Sequence, residues 1–302
     1  MKLSQLRSFL SVAEHGSIRA AARALGMSQP AVTQAMRELE LSVDAPLLQR
    51  GTAGVELTVY GRSLVRRASV IQREMERAVA EIEEIRDGSS GLISIAISTA
   101  VAFEILPKAF AAFRARFPHV EVRFNEASIP HTLPRILDGT VDFMVAHMLP
   151  GSLADWEVKR LYRTAMVAVA RAGHPILDAA NTDRFAEWEW LLPYDDESAP
   201  ELVRQLFAHK RIAPPTQVVR CTSTAIGLKL VGESDLVGVF VDTMTREEFP
   251  HYGLVKVPLC DPLAALDVSV ISRPGSVLSP AAQNFLDCLR HEAAMKGNAY
   301  HP

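Results

Sequence analysis

Between residues 28 and 37, Ser28, Gln29, Thr33, Gln34 and Arg37 recur on the polar side of a helix-like segment. Those residue types suit contact with nucleic-acid bases. A Gln amide matches N6 and N7 of adenine, an Arg guanidinium matches O6 and N7 of guanine, and Ser or Thr reaches bases or phosphates. Pro30, two residues after Ser28, marks the helix start. Arg50 sits near two glycines between short apolar runs, where it can hold a phosphate. A second group of residues suits different chemistry. Ser98 and Thr99 follow a β-branched run and precede a helix, and Thr222, Ser223 and Thr224 repeat the arrangement. Hydroxyls combined with helix amides can hold a carboxylate or another anionic oxygen.

The elements that must position the first group follow from spacing. Leu3, Leu6, Phe9, Leu10 and Ala13 share one face of a first helix that stops near Gly16. Ser17 caps a second helix, whose Ala20, Ala21, Ala24 and Leu25 present a slim surface for close packing. Gly26 supplies the turn, and Ala31, Val32, Ala35 and Leu39 of the third helix face inward. A plain three-helix bundle with a polar outer face would share these features. The segment from Pro46 to Thr58 counts against that reading, because it predicts a wing-like hairpin whose Thr58 caps the next helix. That helix is predicted from Val59 to Arg86. Leu64, Ala68, Ile71, Met75, Ala78, Ile82 and Ile85 alternate at spacings of four and three, the seam of a dimerising helix. Asp87 to Gly91 ends it and reads as a hinge.

From Leu92 the pattern changes to short β-branched runs separated by helix-like segments, which predicts an α/β body. Ligands of such sheets sit beyond the carboxyl ends of strands. The residues there are Ser98, Thr99, Ser128, His147, Tyr194, Thr222, Ser223 and Phe240. A hydroxyl at such a turn also serves as a helix cap, and core packing is the rival role for Tyr194 and Phe240. Paired hydroxyls at two helix starts suit an organic acid, such as an aromatic carboxylate or sulfonate.

Charge divides the same way. Residues 1–67 hold nine Lys or Arg against five Asp or Glu, whereas the rest hold 23 against 30. A basic head on an acidic body suits phosphate contact at one end. Near the start no apolar segment precedes a cleavage site, and no apolar run reaches the 18 or so residues needed to cross a bilayer, so a cytoplasmic protein without membrane contact is expected. Cys221, Cys260 and Cys288 are scattered, which suits neither a disulfide frame nor a metal site. HExxH, GxSxG, GK[ST] and GxGxxG are absent, so no catalytic residue, metal or cofactor is expected.

The near-unbroken run LRSFLSVAEHGSIRAAARALGMSQPAVTQAMRELE from Leu6, followed by PLLQR and the LT at Leu57 and Thr58, resembles the LysR-type transcriptional regulators. The resemblance extends along essentially the whole chain. It implies a winged helix-turn-helix (1–58), a linker helix (59–87) and an effector domain (88–302) with two α/β lobes like a type 2 periplasmic binding protein. Lobe one would take about 91–164 and 267–302, and lobe two about 165–266. The resemblance also implies a tetramer on promoter DNA, a small-molecule inducer in the inter-lobe cleft and contact with RNA polymerase. Matched residue by residue, the recognition helix falls on Ser28, Gln29, Pro30, Thr33, Gln34 and Arg37, with Arg50 in the wing. Ile18, Arg19 and Thr33 depart from common family residues, and the wing GTAGVE is less basic than many. The rival readings are a ligand-binding module without specific DNA recognition, a regulator-like enzyme, and a regulator without an inducer.

Overall fold

Three helices open the chain, and each boundary has a local cause. α1 (Leu3–His15) stops at Gly16, whose φ of 61° is left-handed. α2 (Ile18–Ala24) is capped by Ser17 Oγ, which accepts from the Ala20 amide at 3.4 Å. α3 (Gln29–Val43) starts in the same way, with Ser28 Oγ accepting from Ala31 N at 3.3 Å and Pro30 in the first turn. β1 (Leu48–Gly51) and β2 (Gly54–Leu57) form an antiparallel hairpin in which Arg50 faces Val55. The structure, a computed structural model, describes residues 1–51, 54–87, 91–151, 153–178, 187–193, 215–245, 248–258 and 263–297.

Leu6, Phe9, Val12, Ala21, Ala22, Val32, Met36, Leu39 and Leu47 form the core of this head. The buried stripes are rotated slightly from the predicted ones. Val12, Ala22 and Met36 are central, whereas Leu3 is 45% exposed, Ala24 is exposed and Ala31 lies off the core. The reason is that short alanines constrain the facing direction weakly, so larger neighbours such as Met36 fill the gap between helices. Glu40 Oε1 ties α3 to the hairpin by accepting from the Leu47 and Leu48 amides at 2.8 and 3.1 Å.

α4 (Val59–Asp87) begins at Thr58, whose hydroxyl accepts from Gly61 N at 3.0 Å. Gly61 lets this helix approach the hairpin closely, since a Cβ there would lie 2.1 Å from the Leu47 carbonyl oxygen. The seam divides along its length. Leu64 and Ala68 pack into the head core. Ile71, Met75 and Ile82 are exposed by 37, 44 and 63%, and Val79 lies among them. The Ile85 side chain and the hinge residues Gly88 to Ser90 lie outside the described residues.

The body contains β3 (Leu92–Ile97), α5 (Thr99–Glu104), α6 (Leu106–Arg116), β4 (Glu121–Glu126), α7 (Ile129–Leu137) and β5 (Phe143–Met148). It continues with β6 (Glu157–Arg171), β7 (Trp190–Leu192), β8 (Val218–Arg220), α8 (Thr224–Gly232) and β9 (Val237–Val241). α9 (Glu248–His251), β10 (Leu254–Lys256), β11 (Ala264–Ser272) and α10 (Pro280–Gly297) complete it. The strand order is β4-β3-β5-β11-β6-β9-β7-β8, with β10 also on β6. β6 and β11 are the two connections between halves. β11 lies between β5 and the first part of β6, while Met166 to Val169 of β6 pair with β9. Each half has apolar clusters on both sheet faces. In the first half, Ile95, Phe113 and Phe285 lie on one face and Met144, Ile136 and Ile271 on the other. In the second, Trp190 and Val237 oppose Leu191, Phe240 and Phe249.

The linker helix touches the first half directly. Arg273 donates to Glu74 Oε1 at 2.9 Å, and Arg73 passes over Gly139, with its Nε 3.9 Å from Asp138.

Candidate functional site

On α3, Ser28, Gln29, Pro30, Gln34 and Arg37 are exposed and Thr33 is half-buried. Packing of Val32, Met36 and Leu39 into the head core turns this row outward. The side chains are not equally available. Thr33 Oγ1 donates to the Gln29 carbonyl at 2.9 Å. Gln34 donates to Glu38 Oε1 at 2.9 Å, and Gln5 of α1 donates to Glu38 Oε2 at 2.9 Å. The Gln34 bond, followed by that from Gln5, holds the Glu38 carboxyl below its usual range. Arg37 has no hydrogen bond or ion pair among the described residues, so its guanidinium projects free. The Arg50 backbone lies in the hairpin; its side chain is outside what the structure describes.

At the strand ends of the body, Ser98 does not cap α5 with its hydroxyl. Ser98 Oγ instead lies 2.9 Å from His147 Nδ1, which joins the ends of β3 and β5. Thr99 donates to Glu126 Oε1 at 2.6 Å, and Ser128 Oγ lies 3.0 Å from His131 Nδ1. Across the body, Ser223 caps α8 by accepting from Ile226 N at 3.4 Å, and Thr222 is exposed. The α5 helix meets the Asp242–Thr245 turn of the second half. Phe240 departs from the expected cleft lining. Its ring is 6% exposed and packs edge-to-face with Phe249, with Gly227 and Gly238 making room for it. The strand is buried on both faces, so this ring points into a core. Tyr194 lies outside the described residues.

Beneath Ser98 and His147 is a polar group that sequence reasoning missed. Tyr162 donates to Glu104 Oε2, and Lys296 near the end of α10 contacts the same oxygen at 2.6 Å. Lys296 also lies 5.6 Å from the Tyr162 ring centre. Burial and then the Lys296 charge push His147 down to about 4, so the ring is neutral at pH 7. Burial and the Glu104 carboxylate push the Tyr162 hydroxyl up. His147 Nε2, Glu104 Oε1 and Thr243 Oγ1 are buried without a hydrogen-bond partner among the described residues. The only hints in sequence were the Tyr within the charged run EVKRLYR and a lone Lys near the end of the last helix.

Among the described residues no group of three His, Cys, Asp or Glu is placed to hold a metal ion. No described helix is long and apolar enough to cross a membrane.

Comparison with known proteins joins the two parts. Residues 3–62 match the bacterial regulatory helix-turn-helix protein, lysR family, and residues 86–294 match the LysR substrate binding domain. The HTH-type transcriptional regulator GalR of Pseudomonas putida is 27% identical over 95% of this chain and 72% of its own. Full-length CbnR complexed with its target DNA superposes with a TM-score of 0.68, at 21% identity, over 97% of this chain and 100% of that one. Full-length LysG from Corynebacterium glutamicum with bound effector Arg gives 0.69, at 20% identity, over 98% and 99%.

Proposed function

The chain belongs to the LysR family of transcriptional regulators, and from that membership we propose sequence-specific promoter recognition by α3, gated by a small molecule between the two halves of the body. The observation that carries the DNA reading is the outward row of α3. The side chains of Arg37 and Gln29 project from it without a hydrogen bond among the described residues, behind a helix start fixed by Ser28 and Pro30. Arg37 is assigned to a guanine edge. Gln29 and, once released from Glu38, Gln34 are assigned to adenine, while Ser28, Pro30, Thr33 and Arg50 position the helix and wing on the backbone. The CbnR–DNA complex supports this mode of docking by its shared fold. The exposed run of Ile71, Met75, Val79 and Ile82 supports pairing of linker helices, in an assembly we take to be a tetramer that contacts RNA polymerase. From a DNA-bound role we assign the protein to the cytoplasm and take regulation rather than turnover as its activity.

The effector is assigned to the strand ends that carry Ser98, Thr99, Ser128 and His147, facing Thr222 and Ser223. These belong to two lobes of about 91–164 with 267–302, and about 165–266, behind a head of 1–58 and a linker of 59–87. An organic acid fits the hydroxyl-rich lining. With His147 uncharged, hydroxyls and main-chain amides would hold its oxygens. LysG with its bound effector supports a ligand-responsive body of this fold.

The test is a DNase footprint on DNA upstream of the protein's own gene, at one stated salt concentration, with wild type beside Gln29→Ala/Arg37→Ala. A protected site that disappears in the double variant is expected. Equal protection by both proteins, or no preferred sequence in a random-site selection, would favour a ligand-binding module. For the cleft, calorimetry with aromatic carboxylates is expected to give binding that weakens in Ser98→Ala/Thr99→Ala; unchanged heats would remove those residues from the site.

A further inference from the structure

The loop from β5 to β6 returns over the sheet face opposite His147. Leu153 and Trp156 of this loop pack on the cluster containing Met144, Met148 and Ile271. Beside it lies an open pocket of about 340 Å³, bounded by Met148, Leu153 and Trp156 and by Arg160, Asp267 and Ser269. The volume lies near the lower end of the range of roughly 300–1,000 Å³ for small-ligand sites, and the lining combines apolar walls with a few convergent polar groups. It lies within one half of the body, apart from the cleft assigned to the effector.

Two backbone irregularities build this pocket. The first is a register shift in the β6–β11 ladder, where Val268 faces Tyr162 but Ser269 faces Arg160, leaving Leu161 as an extra residue. In a regular strand Arg160 and Arg163, three apart, would point to opposite faces. The bulge brings both to the side of Asp267. The second is Leu153, whose φ of 67° is left-handed. Strain of this kind in a non-glycine residue gathers at ligand sites.

The charges in the pocket are adjacent but not closed on each other. Arg163 donates to Asp267 Oδ1 at 3.1 Å. Arg160 Nη1 stops 3.8 Å from the same oxygen, beyond hydrogen-bond reach, and Arg160 makes no hydrogen bond among the described residues. A carboxylate with one oxygen free of hydrogen bonds among the described residues and a guanidinium held to it only by a 3.8 Å ion pair therefore meet over an apolar wall. We propose that this pocket binds an α-amino acid with an apolar side chain, its ammonium on Asp267, its carboxylate on Arg160 and its side chain against Trp156, Leu153 and Met148. An α-amino acid carries its two charges one carbon apart, the spacing that Asp267 and Arg160 offer. The pocket's size suits a free amino acid.

The test uses the full chain and three probes: L-phenylalanine, 3-phenylpropionate, which lacks the ammonium, and 2-phenylethylamine, which lacks the carboxylate. Tryptophan emission is compared between wild type and Trp156→Phe to isolate the Trp156 signal. The expected result is saturable binding of phenylalanine at millimolar or lower concentration, with both analogues at least tenfold weaker. Arg160→Gln should weaken phenylalanine at least tenfold. Arg160 is exposed, makes no hydrogen bond among the described residues and pairs with Asp267 only at 3.8 Å, so this variant should fold with a nearly unchanged melting temperature. Asp267→Asn should give a similar loss, while Ser98→Ala should leave binding intact. Absence of a saturable signal by fluorescence and calorimetry, wild-type binding in Arg160→Gln, or equal binding of 3-phenylpropionate would overturn the proposal. So would loss of phenylalanine binding in Ser98→Ala, which would move the ligand to the cleft. Because the footprint and the aromatic-acid titration do not involve this pocket, its failure and theirs are separable.

Discussion

His147 ties the body's stability to pH. In the folded chain, burial and the Lys296 charge hold its imidazole at about 4, against 6.5 for an ordinary histidine. Unfolding returns it to water, where it takes up a proton first. Between pH 6.5 and 4 the unfolded state therefore binds more protons, and native stability falls as pH falls. The contribution is fully present above pH 6.5 and lost through the folded value. At about 1.4 kcal/mol per pH unit, it amounts to about 3.5 kcal/mol over the window and roughly 2.5 kcal/mol by pH 4.5. His147→Gln keeps a polar side chain that cannot titrate, so its stability should lack this component. The assay is urea unfolding at pH 7 and pH 4.5 followed by tryptophan emission. Trp156, Trp188 and Trp190 all lie in the body, so the signal reports on the body rather than the head. Carboxylates common to both proteins contribute equally and cancel. Wild type should lose about 2–3 kcal/mol more than the variant between the two pH values. Parallel losses, or a His147 imidazole resonance that titrates near 6.5, would refute the reasoning.

Two further outcomes follow from the head and linker. Gly61→Ala would force a methyl to within 2.1 Å of the Leu47 carbonyl oxygen, and should destabilise the head by about 1–3 kcal/mol, read as a lower melting temperature by circular dichroism; an unchanged melt would show that the helix start shifts freely. Met75→Asp/Ile82→Asp should place charges on the exposed seam and reduce the oligomer in sedimentation velocity, with footprint affinity falling alongside. An unaltered sedimentation coefficient would move the interface elsewhere.

The head was legible because its signals are local. Ser17 and Ser28 cap where their types and positions suggest, Gly16 and Gly26 turn with left-handed φ, and Thr58 starts the linker helix. Which alanines face inward is not legible in the sequence, because only tertiary packing decides it. In the body, apolar runs revealed β3, β5 and β9 directly. The first half of β6 was hidden because Glu157 to Arg163 is a mostly charged run, held in the sheet by pairing with β11 more than 100 residues later. Ser98 and His147 were each readable as strand-end residues, but their 2.9 Å contact joins positions 49 apart. Lys296 meeting Glu104, and Arg160 sharing a face with Arg163, depend on a distant helix and on a bulge, and neither leaves a period in the sequence.

The grip of Arg273 on Glu74 alters how motion can pass through the molecule. Ala68 is seated in the head core, and Glu74, six residues later on the same helix, is held by the body. At 1.5 Å per residue that leaves about 9 Å of continuous helix between two anchored points. A helix tied to both parts over less than two turns has little room to bend between them. The mechanical link between body and head in this arrangement is therefore a short strut, and a tilt of the first half of the body would swing the head with it as a lever.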